Sequence, residues 1–369
     1  MKLVELLQHV SPLEVQGPVD RTVDRVTRDS REVTPTSVFV AIRGGTVDGH
    51  RFAPSADAAA VVVESPGPVR PGVTQVRVAS TRRALALLSA ALFGHPGRSL
   101  RVVGVTGTNG KTTVTTLIEQ ALVTLGVPVG RIGTTGHSVN GAPLATGADA
   151  AFTTPEAPAL QALLASMRDD GVTVVAMEVS SIGLAQHRAD GIPFAVAVFT
   201  NLSRDHLDLH GTMDAYRDAK TRLFAELLAP AGVAILNADD PVSAGLGPGT
   251  TYGFSSVADV RVAETRLHDA GTRVTLVDEE GPIVLDSALV GRHNASNLAA
   301  TYAVLRTLGI SRDDASIATA AAKGAPGRLE RIPDAGGRLV LVDYAHTDDA
   351  LANVLPAVIV TSPSTAAGV

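Results

Sequence analysis

Residues 101–117 read RVVGVTGTNGKTTVTTL, three local signals in one order. The apolar run 102–105 reads as a buried strand. The turn Gly107-Thr108-Asn109-Gly110 comes next, and Lys111-Thr112-Thr113 opens a helix that runs on through Leu117, Ile118 and Leu122. Glycine tolerates positive φ and lets a backbone approach an anion closely. The N–H groups of such a loop and the positive end of the helix form a phosphate cradle. Lys111 can then reach β- and γ-phosphates, and the Thr112 hydroxyl suits Mg²⁺. The pattern is irregular, because Val105 stands where a strict P-loop has its first glycine and Gly104 comes one residue early. The competing reading is an ordinary glycine turn between a strand and a helix; the full strand–loop–Lys-Thr–helix context favours ATP-type phosphate binding.

Outward from this stretch, the chain reads as three blocks. Residues 1–97 hold short strand candidates at 38–42, 60–63 and 75–78 and an Ala/Leu-rich helix at 81–93. The turn Gly94-His95-Pro96-Gly97 closes that block, since Pro and Gly cannot continue a helix. Residues 98–330 alternate strands (100–105, 172–178, 195–200, 232–236) with helical segments, which predicts a parallel sheet covered on both faces. Segments 259–264, 272–277 and 283–290 read as a small antiparallel insertion, and a helix spans 295–308. Residues 331–369 offer the strand 338–342 and a small, polar tail, too little for a domain of its own.

Composition narrows the classes. Apolar residues are 45% of 369, but aromatics are only 3% and Trp is absent, so the cores must be built from Val, Leu, Ile and Ala. A net charge of −6 with no basic stripe argues against a nucleic-acid surface. Without cysteine there are no disulfides or thiolate metal sites, which suits a reducing cytosol. No apolar run approaches the ~18 residues that span a bilayer, and MKLVELLQHV lacks a cleavable signal pattern. A cytoplasmic protein with no membrane partner is expected.

Ligands of an open parallel sheet sit beyond the carboxyl ends of its strands. Three polar segments fall there: the 106–113 loop, Glu178-Val179-Ser180-Ser181, and 201–206, which opens the polar run NLSRDHLDLHG. Glu178 ends the buried run VVAME, as a carboxylate at the functional end of a strand or as a solvated strand-end acid. His206 reads equally as a capping or structural residue and as a metal ligand; beside Glu178 and Thr112, an Mg²⁺ role is the better reading. Read alone, Lys220 in YRDAKTRLF is a solvated lysine on a charged face. Arg188 and Arg328 have forks suited to phosphate or carboxylate, and each serves a structural ion pair equally well.

At these residues the chain resembles the Mur ligases, most closely the MurE type. The matching motifs run in order: TRDSR (27–31), FVAIRGGTVDGHRF (39–52), GVTGTNGKTT (104–113), TTPE (153–156), MEVSSIGL (177–184), NLSRDHLDLHG (201–211), YRDAKTRLF (216–224), GRHNASN (291–297), PGRLE (326–330) and VDYAHTDDALANVL (342–355). The resemblance implies an α/β chain: an N-terminal UDP-substrate-binding domain (1–97), a central P-loop parallel-sheet ATP-binding domain (98–330), and a C-terminal Rossmann-like domain of which 331–369 is the start. It implies ATP-dependent ligation in which the D-glutamate carboxylate of UDP-MurNAc-L-Ala-D-Glu becomes an acyl phosphate and the amine of a diamino acid, meso-diaminopimelate or L-lysine, displaces phosphate. ATP and Mg²⁺ are the implied cofactors, and a monomer the implied state.

Site residues carry over motif by motif. Gly107, Thr108, Asn109, Gly110, Lys111, Thr112 and Thr113 match the ATP loop, with Asn294, Arg328, Asp343, Tyr344 and His346 as further nucleotide contacts. Lys111, Glu178, His206 and Lys220 match the catalytic set, and Thr112, Glu178, His206 and a carbamylated Lys220 the metal set; here the resemblance overrides the surface reading of Lys220. Ser30, flanked by Asp29 and Arg31, and the Gly49-His50 region match the uridine-diphosphate site. Thr153, Thr154, Ser181, Gln186 and Arg188 match the muramoyl-peptide contacts.

There are departures. The family continues for about 120–150 residues more, a domain-sized unit, with an Asp-Asn-Pro-Arg type acceptor motif that this sequence does not contain. The family's Pro after YAHT is Asp348 here. The expectation is a chain with the donor half of catalysis, and the competing one a binding protein for ATP and the UDP-muramoyl peptide without turnover. A folylpolyglutamate synthetase shares the GTNGKT loop, but the block 27–52 ahead of it argues against that reading.

Overall fold

The computed structural model describes residues 1–45, 47–144, 152–268, 271–332 and 340–345, with 351, 352 and 355. His346 and Asp348 lie outside the described residues. Two compact units emerge, one of Met1–Leu100, Pro155–Asp170 and Gly183–Ile192, the other of Arg101–Thr154, Gly171–Ile182 and Pro193–Val369. Among the described residues, no helix is long and apolar enough to cross a membrane.

In the first unit, β1 (Glu14–Gln16), β2 (Arg25–Thr27), β3 (Ser37–Val40), β4 (Ala60–Val63) and β5 (Thr74–Arg77) form a sheet in the order β1-β5-β4-β3-β2. All neighbours are parallel except β1 and β5. Strands β3 and β4 are buried along their whole length because both faces are covered. Alternation sends Val38, Val40 and Val62 into one core and Phe39, Val61 and Val63 into another. The helix Thr81–Leu92 starts where the Ser80 hydroxyl accepts from Arg83 N–H and stops before Gly94, whose φ is +70°. The helix Ala157–Asp169 packs on it and buries Leu160, Leu164 and Met167. The sequence reading assigns residues 155–170 and 183–192 to the second block; only the tertiary packing of that helix joins them to the first unit.

The second unit is built on an eleven-stranded sheet. Its strands are β6 (Arg101–Thr106), β7 (Val129–Gly133), β8 (Gly136–Val139), β9 (Ala142–Pro143), β10 (Val174–Glu178), β11 (Phe194–Phe199), β12 (Leu228–Asn237), β13 (Thr250–Gly253), β14 (Val260–His268), β15 (Gly271–Asp278) and β16 (Gly281–Ser287). The order is β16-β15-β14-β13-β12-β11-β6-β10-β7-β8-β9, parallel from β14 through β7 and antiparallel at both ends. The predicted insertion is therefore β14–β16, which extends the main sheet. The β7–β8–β9 meander escapes sequence reading, because VGRIG and GHSV lack a distinctive apolar period. The helices Lys111–Thr124 and Arg292–Thr307 cover the core formed by Val103, Val105, Val196, Val198 and Ile235. Two short strands, β17 (Glu330–Ile332) and β18 (Val340–Val342), pair antiparallel, so the segment starting at 331 is tied back to residue 330.

Register places the chemistry. Central β6 is flanked by β10 and β11, with Val105 opposite Glu178 and Thr106 opposite Phe199. The loops leaving these strands, which begin at 107, 179 and 200, thus emerge at one edge.

Candidate nucleotide and metal site

The glycine-rich turn is held from β11's loop. Thr108 N–H donates to the Asn201 carbonyl at 2.8 Å and Asn109 N–H to the Asn201 side-chain oxygen at 2.9 Å. The Thr200 hydroxyl donates to the Asn109 carbonyl at 2.6 Å. Gly107 has φ +145°, and a Cβ there would stand 1.9 Å from Thr200 Oγ1, so only glycine fits. Lys111 Nζ donates to the carbonyls of Gly107 (2.9 Å) and Thr108 (2.7 Å). Burial lowers its pKa, with Glu178 partly opposing.

Glu178 is fully buried at the end of β10. Its carboxylate accepts from the Thr112 hydroxyl at 2.9 Å, from Thr134 N–H at 2.8 Å and from the Thr134 hydroxyl at 3.1 Å. The strand-end acid is thus a buried carboxyl group bonded to the first turn of the loop's helix rather than a solvated one. Thr113 is buried beside Thr112.

Lys220 overturns the residue-by-residue reading. It is 2% exposed, donates to the Gly107 carbonyl at 2.7 Å, and lies 4.4 Å from the centre of the Tyr216 ring. The helix Met213–Arg222 is polar on average, and its buried face holds only Tyr216, Ala219 and Lys220. Apolar periodicity offers no cue, because the lysine itself occupies the core-facing position. Burial and the neighbouring Lys111 charge hold its amine well below the usual lysine pKa. Burial pushes the Tyr216 phenol up to about 12, opposed by its bond to Thr108 Oγ1 at 3.2 Å.

Among the described residues, His206 makes no hydrogen bond or ion pair with Thr112 or Glu178. With φ +51° it precedes the short helix Leu207–His210, its ring 3.5 Å from Asp205 and edge-on to Tyr216 at 6.1 Å. No group of three or more His, Asp or Glu side chains among the described residues converges as a metal-holding cluster. Four residues that sequence reading passes over shape this site: Thr134, Thr200, Tyr216 and His210, whose ring nitrogen lies 3.0 Å from Ser181 Oγ. Nothing in the local spacing marks Thr134 or Thr200, whereas His210 and Tyr216 lie within motifs quoted above without being singled out.

A pocket of about 280 Å³ in this unit is lined by Thr134, Thr135, Pro326, Gly327, Arg328, Val342, Asp343 and Tyr344. Arg328 stacks on the Tyr344 ring at 4.8 Å, while Asp343 accepts from Leu329 N–H and Ala345 N–H. Asn294 is buried in the first turn of its helix, donating to the Val290 carbonyl and accepting from Asn297. Thr154 donates to the Glu178 carbonyl at 3.0 Å, and Thr153 Oγ1 lies 3.0 Å from Thr134 Oγ1.

The first unit holds the remaining predicted residues. Asp29 caps the 3-10 turn Ser30–Glu32 and grips Arg31, which holds its carboxyl at about 2. Asp48 caps the turn Gly49–Ser55 and meets His50 Nδ1 at 2.7 Å. Arg188 is buried, bonded to Gln186 at 2.8 Å and paired with Glu156 at 2.9 Å; Arg28 reaches the other oxygen of Glu156 at 3.4 Å.

Residues 105–305 match the Mur ligase middle domain, and residues 22–92 match the Mur ligase family catalytic domain. A UDP-N-acetylmuramoyl-L-alanyl-D-glutamate–2,6-diaminopimelate ligase of Geobacter metallireducens is 40% identical over 371 aligned positions, spanning 97% of this chain and 72% of that protein. Its counterpart in Geobacillus kaustophilus is 41% identical, spanning 97% and 75%. A solved structure of a ligase with this name superposes with a TM-score of 0.82 at 29% identity, covering 97% of this chain and 74% of that one. With the phosphate loop, the buried strand-end carboxylate and the buried lysine gathered around the ends of neighbouring strands, the chain belongs to the Mur ligase family.

Proposed function

We propose that this chain carries out ATP-dependent amide-bond formation in peptidoglycan synthesis, joining 2,6-diaminopimelate to UDP-MurNAc-L-Ala-D-Glu. The observation behind this reading is the buried Glu178 carboxylate, bonded to Thr112 one residue after the lysine of the glycine-rich turn. The relatives' name supplies the substrates.

The γ-phosphoryl group passes to the D-glutamate carboxylate, giving an acyl phosphate and ADP. The acceptor amine then attacks the acyl carbon and phosphate leaves. Such transfer is catalysed mainly by positioning and charge neutralisation. The N-terminal end of the helix Lys111–Thr124 and the Lys111 ammonium bind the phosphates. Mg²⁺ takes oxygen ligands, commonly one or two carboxylates plus substrate phosphates. The hydroxyl–carboxylate pair of Thr112 and Glu178 fits it. Mg²⁺ held there would supply positive charge against the phosphates. His206 and Lys220 complete the proposed metal set, Lys220 after its neutral amine adds CO₂ and releases a proton to become an anionic carbamate. Its burial and depressed pKa support that chemistry.

For the nucleotide, Asn294, Arg328, Asp343 and Tyr344 are the further contacts. Ser30, Gln186 and Arg188 of the first unit and Thr153, Thr154 and Ser181 of the second are assigned to UDP-substrate binding. The reaction belongs to the cytoplasm, where its nucleotide substrates are made.

The test is ADP release by the purified chain with UDP-MurNAc-L-Ala-D-Glu, ATP and Mg²⁺, alone and with meso-diaminopimelate or L-lysine. Release that requires diaminopimelate is expected. Release that requires lysine would change the acceptor, and substrate binding without any release would leave a binding protein.

A further inference from the structure

The second unit buries an ion pair that the proposed chemistry does not use. Glu119, in the helix Lys111–Thr124, meets Arg131 of β7 at 2.7 Å, and the two residues are 4% and 9% exposed. The second Glu119 oxygen accepts from the Ser138 hydroxyl and from Gly141 N–H. A buried ion pair rarely stabilises a fold better than well-packed apolar residues would, so its use calls for another account.

The Arg131 guanidinium reaches on to the turn after β7. It donates to Thr135 Oγ1 at 2.8 Å and to the Gly136 carbonyl at 3.4 Å. The preceding residue, Thr134, gives both its backbone N–H and its hydroxyl to Glu178. Glu178 accepts from Thr112, which lies seven residues before Glu119 on the same helix. Seven residues are two helical turns, so both side chains leave the same face. The contacts close a ring: Thr112, Glu119, Arg131, the 134–135 turn, Glu178 and back to Thr112. One side of the ring is a helix, one is the backbone of the turn, whose Thr134 and Thr135 are exposed, and the rest are hydrogen bonds made by the buried side chains of Thr112, Glu119, Arg131 and Glu178.

We propose that the Glu119–Arg131 pair positions the Glu178 carboxylate against Thr112, acting through the Thr134–Thr135 turn. The inference rests on the reading of Thr112 and Glu178 as the Mg²⁺-nucleotide site. Neither Glu119 nor Arg131 touches substrate in this account; both are positioning residues. Groups that orient metal ligands from one bond further out typically change metal affinity about 10–100-fold when removed. The pair also reaches the pocket wall, since Thr134 and Thr135 line the cavity that contains Arg328, Asp343 and Tyr344.

Removing one partner would strand a buried charge and risk unfolding. The test is therefore the double variant Glu119→Gln/Arg131→Met. It deletes both charges, keeps an acceptor for Ser138 and Gly141, and keeps the arginine's apolar stem. Calorimetric titration of the full chain with ADP, repeated over a series of Mg²⁺ concentrations, gives the Mg²⁺ level for half-maximal tight binding. Thermal unfolding and the affinity for UDP-MurNAc-L-Ala-D-Glu are measured in parallel.

The expected result is a folded variant whose Mg²⁺ requirement rises about tenfold, with UDP-substrate affinity unchanged within about twofold. Arg131→Lys, which keeps the charge but not the fork, is expected to fall between the two. An unchanged Mg²⁺ requirement in the folded double variant overturns the proposal and leaves the function intact. Equal weakening of ADP binding with and without Mg²⁺ also overturns it, because a merely structural pair would act that way. If the double variant unfolds, the Arg131→Lys titration decides alone, an unchanged Mg²⁺ requirement overturning the proposal. If the native chain binds ADP with no Mg²⁺ dependence, the metal-site reading fails, and this proposal with it.

Discussion

Several candidate-site residues of the two units are held in different ways. In the first unit the partners are near neighbours: Asp29 with Arg31, Asp48 with His50 and Gln186 with Arg188, each two residues apart. In the second they are distant: Thr134 and Glu178 are 44 residues apart, Thr112 and Glu178 66, Asn109 and Asn201 92, and Lys220 and Gly107 113. Short-range pairs form with a turn and perturb little else. Long-range pairs exist only once parallel strands have aligned, so each depends on its neighbours. The first unit has long-range pairs as well, among them Glu156 with Arg188 and Arg28, and Thr81 with Glu64. The contrast implies that single changes in the second unit should spread and that those in the first should stay local.

The strongest way to break this contrast is Lys111→Ala. ATP-dependent turnover is expected to fall on the order of 10³-fold or more, while the dissociation constant for UDP-MurNAc-L-Ala-D-Glu, read by calorimetry, holds within about twofold. Parallel loss of both would erase the distinction between the units. Next comes Gly133→Ala, because the added Cβ would stand 2.2 Å from Glu178 Oε1. A carboxylate pushed aside by that methyl should cost about 10² in kcat. A variant with native kcat and native Mg²⁺ dependence would mean that Glu178 is free to move.

Glu156→Gln sharpens the comparison from the other side. The amide removes the charge that Arg188 and Arg28 share. We expect KM for the UDP substrate to rise about tenfold and KM for ATP to stay level in steady-state assays. A change confined to ATP would contradict the assignment of Arg188. The smallest effect is Asp29→Asn. The native carboxyl titrates at about 2, below its unfolded value of 3.8, so the unfolded chain binds more protons between these values. That contribution is present above about pH 4 and is lost as pH falls towards 2. The group is partly exposed, so the gain at pH 6 should stay under ~1 kcal/mol. Urea melts at pH 6 and pH 2.5 should show native and variant proteins converging in acid; a constant difference would place the stabilisation elsewhere.

Much of the fold is legible because its strands are short, fully apolar runs. Val102, Val103 and Val105 announce β6, and the glycine turn with its lysine and threonine announces the phosphate loop and the helix behind it. The β14–β16 hairpins also show in sequence. The β7–β8 turn does not, although Thr134 supplies two of the three bonds that the Glu178 carboxylate accepts. Its threonines carry no period and no motif, and they matter only because β7 lies beside β10. Lys220 shows the same limit from the opposite side. Its helix reads as charged, and only the likeness to a family recovers it; the residues alone do not.

Local features can be read straight from the chain: the glycine-rich loop at Gly107 and Gly110, the helix it opens, and a family likeness carried by motifs in order. Which distant groups meet was left to the packing of the whole. Packing buried a lysine, joined the helix Ala157–Asp169 to the first unit, and set Glu178 between Thr112 and Thr134. Turn and helix propensities act within a few residues, whereas the burial of a charge and the register of parallel strands depend on groups brought together only when the sheet forms.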